Sequence, residues 1–413
     1  MKRILLSLLL IVLMVGIAVA GCAKPAPTPA PTPAPAPPKT LDIGVASVLT
    51  GSAAALGTAI QNAILLTIDD QNNQGGITIA GQKYMLNPII RDTKFSVIVG
   101  KSIAEELIFD KGVKVIAGPC LADAVGVQYV SEKNKVIMFA LDASLSEICT
   151  PDKPYSFFNV VHPLQLTAPG AAYTQKFYPE AKTVITMGPD TPSLPLWIDA
   201  AKTMCQRHDL DWLGSEKFSM ETKDFMPVIA RVLPKKPDII DLAGSGTMGA
   251  TGCLLVKQLR EAGFNGILWS PSALPISVMM EVIPEEYRTK LISNDVIVES
   301  PIVSQAYKDM DQRYTKKFGE PTRALVGEFY NMVKPLFEFL NGQDNMDTTV
   351  WMQGFEKYHW QSIWGTESFW VGETLHGINR GLLRPFWVTE WIDGEPETRW
   401  DAPIPLDLFI EEE

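Results

Sequence analysis

Two short loops of small residues carry the groups best suited to hold a small molecule. Residues 118–123 read Gly-Pro-Cys-Leu-Ala-Asp, and residues 141–146 read Leu-Asp-Ala-Ser-Leu-Ser. Each leaves the carboxyl end of a short apolar run, 113–117 or 136–139, as expected for parallel strands covered on both faces. A helix expected over about 121–131 begins at the first loop. Backbone N–H groups and helix N-termini collect at such strand ends, where open α/β sheets bind ligands. The loops are therefore expected to form half of a small-molecule pocket, in a carrier rather than a catalyst. A third stretch, Gly244-Ser245-Gly246-Thr247-Met248-Gly249, fits G-x-G-x-x-G between a strand and a helix. The next strand ends at Trp269-Ser270 with no acid for a ribose, so small residues admitting a ligand to the backbone are the better reading.

Catalytic spacing is missing elsewhere. The chain has no G-x-S-x-G elbow, H-E-x-x-H or P-loop, and its four histidines (His162, His208, His359, His376) fall in separate regions. No C-x-x-C or cysteine–histidine spacing suggests zinc. The reading is a protein that is not an enzyme and carries no cofactor or metal.

The elements that must position these loops alternate regularly. A strand at 41–48, a helix at 57–73, a hairpin at 77–81, a strand at 84–91 and a helix at 97–111 lead into the first loop region. Beyond residue 160 the alternation restarts: helix 164–177, strand 183–187, helix 194–207, strand 212–218, helix 224–232, strand 238–243, helix 250–262 and strand 266–269. A strand at 292–298, a return near 301 and two helices at 304–318 and 323–340 follow. This predicts an α/β protein with two doubly wound parallel-sheet lobes joined by hinge crossovers. The expected division is 41–160 with 302–380 for the N-terminal lobe, and 161–301 with 381–413 for the C-terminal lobe. The tryptophan-rich tail (Trp351, Trp360, Trp364, Trp370, Trp387, Trp391, Trp400) is expected to fill core and interlobe space.

Composition bounds the partners. The 413 residues are 46% hydrophobic and 20% charged, a globular balance, with a net charge of −11 and no basic block beyond Arg3. Nucleic-acid binding, which needs a positive stripe, is excluded. Lys2-Arg3, an apolar run from Ile4 to Ala20 and then Gly21-Cys22 make an export signal over 1–21. The cysteine after small residues resembles a bacterial lipobox, which implies lipidation of Cys22. Residues 22–40 form a Pro/Ala-rich tether, extended in polyproline II with a reach of roughly 40–50 Å. Of the other cysteines, Cys120 and Cys149 flank the two loops and are the pair considered for a disulfide, with buried thiols as the alternative.

Four segments together resemble the branched-chain amino-acid-binding proteins of ABC importers. They are LDIGVASVLTGSAAALG, NNQGGITIAGQKYMLNPIIRD, KVIAGP with its loop, and HGINRGLLRPFWVTEWIDG. The resemblance spans nearly all of residues 41–395 and implies a type I periplasmic-binding fold whose lobes close on ligand. It places the ligand among Leu56, Leu121, Ala122 and Asp123, with Asp142, Ala143 and Ser144, on the first lobe. On the second it points to Ser245, Gly246, Thr247 and Ser272. It also implies a permease and its ATPase as partners, a monomer, and a body anchored outside the cytoplasm.

The chain departs from that pattern at four places. The first loop lacks the usual serines, the acid that would meet an α-ammonium is replaced by Ser272, and the aromatic is absent near Ser245. The usual Asp-aromatic-Gly turn reads Asp190-Thr191-Pro192-Ser193. A buried ammonium without a carboxylate is costly, while Asp123 and Asp142 add negative charge on the wall that usually takes the ligand's carboxylate. The ligand is therefore expected to be a small polar molecule such as an amine, amide, polyol or inverted amino compound. The alternative is that the two aspartates turn away and cap helices. A sensor of the same fold that signals rather than transports is the second functional reading, and an exported hydrolase the third.

Overall fold

A computed structural model describes residues 38–410 other than 52, 142–147, 161, 273, 275 and 323. In chain order the first half runs β1 (Lys39–Ser47), α1 (Ala54–Asn73), β2 (Ile77–Ile79), β3 (Gln82–Asp92), α2 (Val97–Glu105), β4 (Val115–Cys120), α3 (Ala122–Ser131), β5 (Ile137–Leu141) and β6 (Ser156–Phe158). The second continues α4 (Pro163–Phe177), β7 (Thr183–Pro189), α5 (Leu194–Arg207), β8 (Asp211–Phe218), α6 (Met226–Val232), β9 (Ile239–Asp241), α7 (Ala250–Glu261), β10 (Ile267–Ser270), α8 (Ile276–Val282) and β11 (Leu291–Ser293). The chain then returns through α9 (Gln305–Phe318), α10 (Ala324–Leu340), α11 (Thr348–Phe355), β12 (Trp360–Gln361), β13 (Glu367–Ser368), β14 (Trp370–Val371) and β15 (Gly381–Leu382). It ends with the hairpin β16 (Phe386–Ile392) and β17 (Glu395–Ala402).

Two sheets result, in the orders β14-β15-β6-β5-β4-β1-β3-β2 and β17-β16-β11-β10-β9-β7-β8. The inner pairs β1–β4–β5–β6 and β7–β9–β10–β11 are parallel. Every residue of β4 is buried, and so is every residue of β9 and β10, because helices cover both faces. The expected two-lobe doubly wound fold is the one observed. One boundary differs: the strand expected over 292–298 stops at Ser293, where the Asn294 side chain donates to the carbonyls of Leu166 (2.7 Å) and Pro271 (2.9 Å).

Close packing fixes where the strand tips lie. A side chain at Gly57 would sit 1.9 Å from the carbonyl oxygen of Val48, so α1 can rest on the end of β1 only through glycine. Gly126 plays the same part between α3 and α2, its missing Cβ lying 2.0 Å from the carbonyl oxygen of Val97. The tail tryptophans pack as expected: Trp351, Trp360, Trp364, Trp370 and Trp387 complete one face of the first sheet, with Trp370 and Phe157 4.6 Å apart, and Trp391 joins a core of the second.

The disulfide considered for Cys120 and Cys149 is not formed. Cys120 packs in the core on the α1 and α10 side of the first sheet, and Cys149 in the core beneath α2 and α3 on the other. A sheet lies between two cysteines that a bridge would have to bring within about 7 Å. Burial pushes the Cys149 thiol up to about 12, which leaves it unreactive.

The chain crosses between lobes three times, after β6, after β11 and between β15 and β16. Glu328 of α10 ties two of these crossings together. It accepts from the Asn159 amide on the first and from Arg384 Nη2 (2.6 Å) on the third, and both charged groups are buried. Arg384 also lies 4.0 Å from the ring centre of Phe386. Burial raises the Glu328 pKa and lowers that of Arg384, so desolvation outweighs their mutual attraction.

Candidate ligand-binding cleft

The carboxyl ends of the strands supply two sets of groups, one on each lobe. On the first lobe, Asp92 at the end of β3 accepts from Leu49 N–H (2.9 Å), Thr50 Oγ1 (2.6 Å) and Lys94 N–H (3.0 Å). The turn after β1 is thereby clamped to the end of its neighbour. Partial burial acts to raise the Asp92 pKa, but these bonds outweigh it and hold the carboxyl below its ordinary value. Leu56, in the first turn of α1, is half-buried against the lobe core.

At the end of β4, Leu121 has φ +51°, a conformation seldom adopted outside glycine and asparagine, and its N–H donates to Leu141 O (2.9 Å). This contact brings the tips of β4 and β5 together. Leu121 and Ala122 are half-buried. Asp123 is completely buried, and its Oδ1 accepts from Cys120 N–H (3.3 Å), three residues back. Burial raises the Asp123 pKa, with the Thr93 hydroxyl and Cys120 N–H offsetting part of the rise. That bond ties the first turn of α3 back to the end of β4 and is not a helix cap, and Oδ2 is buried with no bonded partner among the described residues. Asp142, Ala143 and Ser144 lie outside the described residues.

On the second lobe, the glycine-rich stretch opens as a single 3₁₀ turn, Ser245–Met248, before α7. Ser245 N–H donates to Leu242 O (3.0 Å), and its hydroxyl is wholly buried with no bonded partner among the described residues. Gly246 and Thr247 complete the turn. Ser270, at the end of β10, likewise has a buried hydroxyl without a described partner, and Ser272 is half-buried in the turn beyond it. A space of about 10 Å³ lined by Thr167, Ser270 and Asn294 is enough for one water. Asp190, after β7, is held on the surface by Lys217 (2.9 Å).

Some polar groups stand apart from this arrangement. Asp241 lies on the α5 face of the second sheet, near Cys205, and neither of its oxygens has a bonded partner among the described residues. Burial pushes it up to about 7, the Thr186 hydroxyl opposing only part of the shift. His162 caps α4, its Nδ1 accepting from Leu164 N–H (3.1 Å), and burial lowers it to about 4. A cavity of about 420 Å³ in the second lobe lies at the opposite, amino ends of the strands, among Ala181, Asp238, Gly266 and Lys290. It cannot serve a cleft formed by the carboxyl ends. Sequence reasoning did not single out the Asp92 clamp, the Glu328–Arg384 tie or Trp197. The clamp follows from an aspartate at the end of β3, a pattern visible in Ile-Ile-Arg-Asp, whereas the tie joins residues 56 positions apart.

Two α/β lobes joined by three crossings, with polar groups at their strand tips, define a solute-binding protein. The family model described as periplasmic binding protein matches residues 40–395, and the chain belongs to that family, whose members work outside the cytoplasm. Solved structures agree in fold. An amino acid ABC transporter substrate-binding protein from Pseudomonas fluorescens Pf-5 is 14% identical at a TM-score of 0.72, covering 86% of this chain and 91% of its own. The branched-chain amino acid transporter substrate-binding protein of Streptococcus pneumoniae, in complex with isoleucine, is 17% identical at 0.67, covering 87% and 98%. An ABC transporter solute-binding protein of Rhodopseudomonas palustris BisB5, in complex with 3,4-dihydroxybenzoic acid, is 21% identical at 0.68, covering 89% and 99%. Among the described residues, no helix is long and apolar enough to cross a membrane.

Proposed function

We propose that this protein is a lipid-anchored extracytoplasmic receptor that captures a small carboxylate-bearing solute between its lobes and delivers it, as a monomer, to an ABC permease. The observation that carries the ligand class is the second-lobe wall. Ser245, Ser270 and Ser272 stand at the tips where an amino-acid receptor would present an aromatic and an acid, and Asp190 is paired outward with Lys217. An α-ammonium bound there would be buried without a counter-charge. The pull toward a cationic ligand depends on Asp123 and Asp142, and Asp123 is completely buried, a burial that raises its pKa and favours the uncharged acid. A carboxylate directed at the N-terminus of α3, with hydroxyl or apolar groups toward the serines, fits better. The dihydroxybenzoate complex of a relative with the same fold supports the same class.

Lipidation at Cys22 and the Pro/Ala tether supply the anchor, and the permease reads the difference between open and closed lobes. Mass spectrometry of the compound that co-purifies, followed by calorimetry, tests the reading. A carboxylate lacking an α-amine is expected to bind tighter than leucine or isoleucine. Tighter binding of the branched-chain amino acids would contradict it.

A further inference from the structure

We infer that Trp197, acting with Ser245, is the specificity-determining wall of the second lobe and selects flat, π-bearing carboxylates over saturated ones of the same size. The inference rests on the receptor reading above and adds the feature of the ligand that the cleft recognises.

α5 starts at the tip of β7, and β7 pairs with β9, so the first turns of α5 stand beside the tip of β9. Trp197 lies there and is 7% exposed, yet it belongs to neither hydrophobic core of the second lobe. Its pyrrole edge approaches the backbone at Gly244. A Cβ on Gly244 would be 3.4 Å from Nε1 and 3.7 Å from Cδ1 and Cε2, and Gly244 has φ +67°, which keeps a side chain out of that contact. The next residue is Ser245, whose buried hydroxyl lacks a described partner. Ser245 is itself fixed from behind, since a Cβ on Gly252 of α7 would fall 2.5 Å from the Ser245 carbonyl oxygen.

An indole on the first turns of α5, packed against the residue that precedes a hydroxyl with no described partner, forms the subsite. The ring offers a flat face or edge to another ring, and the hydroxyl can give or take one hydrogen bond at its rim. A buried hydroxyl without a bonded partner among the described residues is open to one from a ligand. The aromatic missing at Ser245 in the sequence is thus supplied from the neighbouring helix.

The test uses the full chain purified in detergent and calorimetry with benzoate, 4-hydroxybenzoate, cyclohexanecarboxylate and isoleucine. The native protein is expected to prefer benzoate over cyclohexanecarboxylate by about tenfold, from ring–ring contact. Trp197→Ala should abolish that preference and Trp197→Phe should keep it. Trp197→Phe should also reduce the ligand-induced change in tryptophan fluorescence while still binding, and Ser245→Ala should weaken 4-hydroxybenzoate more than benzoate. An unchanged preference in a folded Trp197→Ala protein overturns the assignment and leaves the receptor reading standing. Preference for isoleucine overturns the ligand class as well, and failure of all four probes together with the co-purified compound overturns both.

Discussion

The two walls of the cleft use their polar groups differently. On the first lobe, Asp92 clamps the turn after β1 with both oxygens, and Asp123 accepts from the end of β4 through Oδ1 while its Oδ2 is buried with no bonded partner among the described residues. On the second, Ser245 and Ser270 hold buried hydroxyls with no bonded partner among the described residues, and Ser245 follows Gly244, which the indole of Trp197 approaches. Groups already bonded give a wall its shape, while groups left unspent give it something to exchange with a guest. Apart from Asp123 Oδ2, the described polar groups make the first lobe a preformed seat and the second a selector. Preorganising one side lowers the ordering cost of binding, and leaving the other unsatisfied rewards only a ligand that can complete it.

The two walls depend on the frame that joins them, and the largest expected effect is there. Glu328→Ala should destabilise the protein by about 3–5 kcal/mol in urea unfolding, because Arg384 would be left buried and unpaired. A loss below about 1 kcal/mol would mean that the tie between crossings contributes little. Next comes Asp241, a buried acid outside both walls. Its pKa is raised to about 7 in the folded state, above the ordinary carboxylate value, so the native protein loses stability as pH rises from about 4 to 7. Asp241→Asn removes that loss. The variant should be more stable than the native chain by roughly 1–3 kcal/mol at pH 8, with the gap closing toward pH 4 in matched thermal melts.

Smaller effects separate the walls themselves. Asp92→Ala should free the Leu49–Thr50 turn and weaken ligand binding about fivefold by calorimetry while changing Tm little, since one partly exposed clamp is lost. Because the Asp92 pKa is lowered in the fold, the clamp is complete above the ordinary carboxylate range and fails as pH falls through the folded value. Asp123→Asn should be the mildest, within about threefold in affinity, because an amide oxygen can still accept from Cys120 N–H. A tenfold loss there would return Asp123 to the ligand and erase the distinction between seat and selector.

Much of the architecture was legible in the sequence because parallel strands buried on both faces are short apolar runs, and β4, β5, β7 and β10 are all of that kind. The aromatic tail was legible for a similar reason: large rings must be buried somewhere. What could not be read is pairing at a distance. Nothing in the spacing of Asn159, Glu328 and Arg384 announces that they meet, and Cys120 and Cys149 looked adjacent only because their loops are. The fold decided the matter: Cys120, at the end of β4, packs on one face of the sheet, and Cys149, in the loop before β6, packs on the other. At the site, sequence located the tips but not the orientations. Asp123 was visible as a charge beside the pocket, and only the local geometry shows one of its oxygens bonded back to the end of β4. Trp197 was visible as a helix residue, and its approach to Gly244 depends on which strand lies next to β7.

A crystal structure of the protein as purified is the most direct test of a receptor that shuts over a small acid. The expected result is density for a compact carboxylate held between the start of α3 and the Trp197–Ser245 edge, with the lobes closed around it. Strand tips packed directly against one another, leaving no room for any guest, would contradict it.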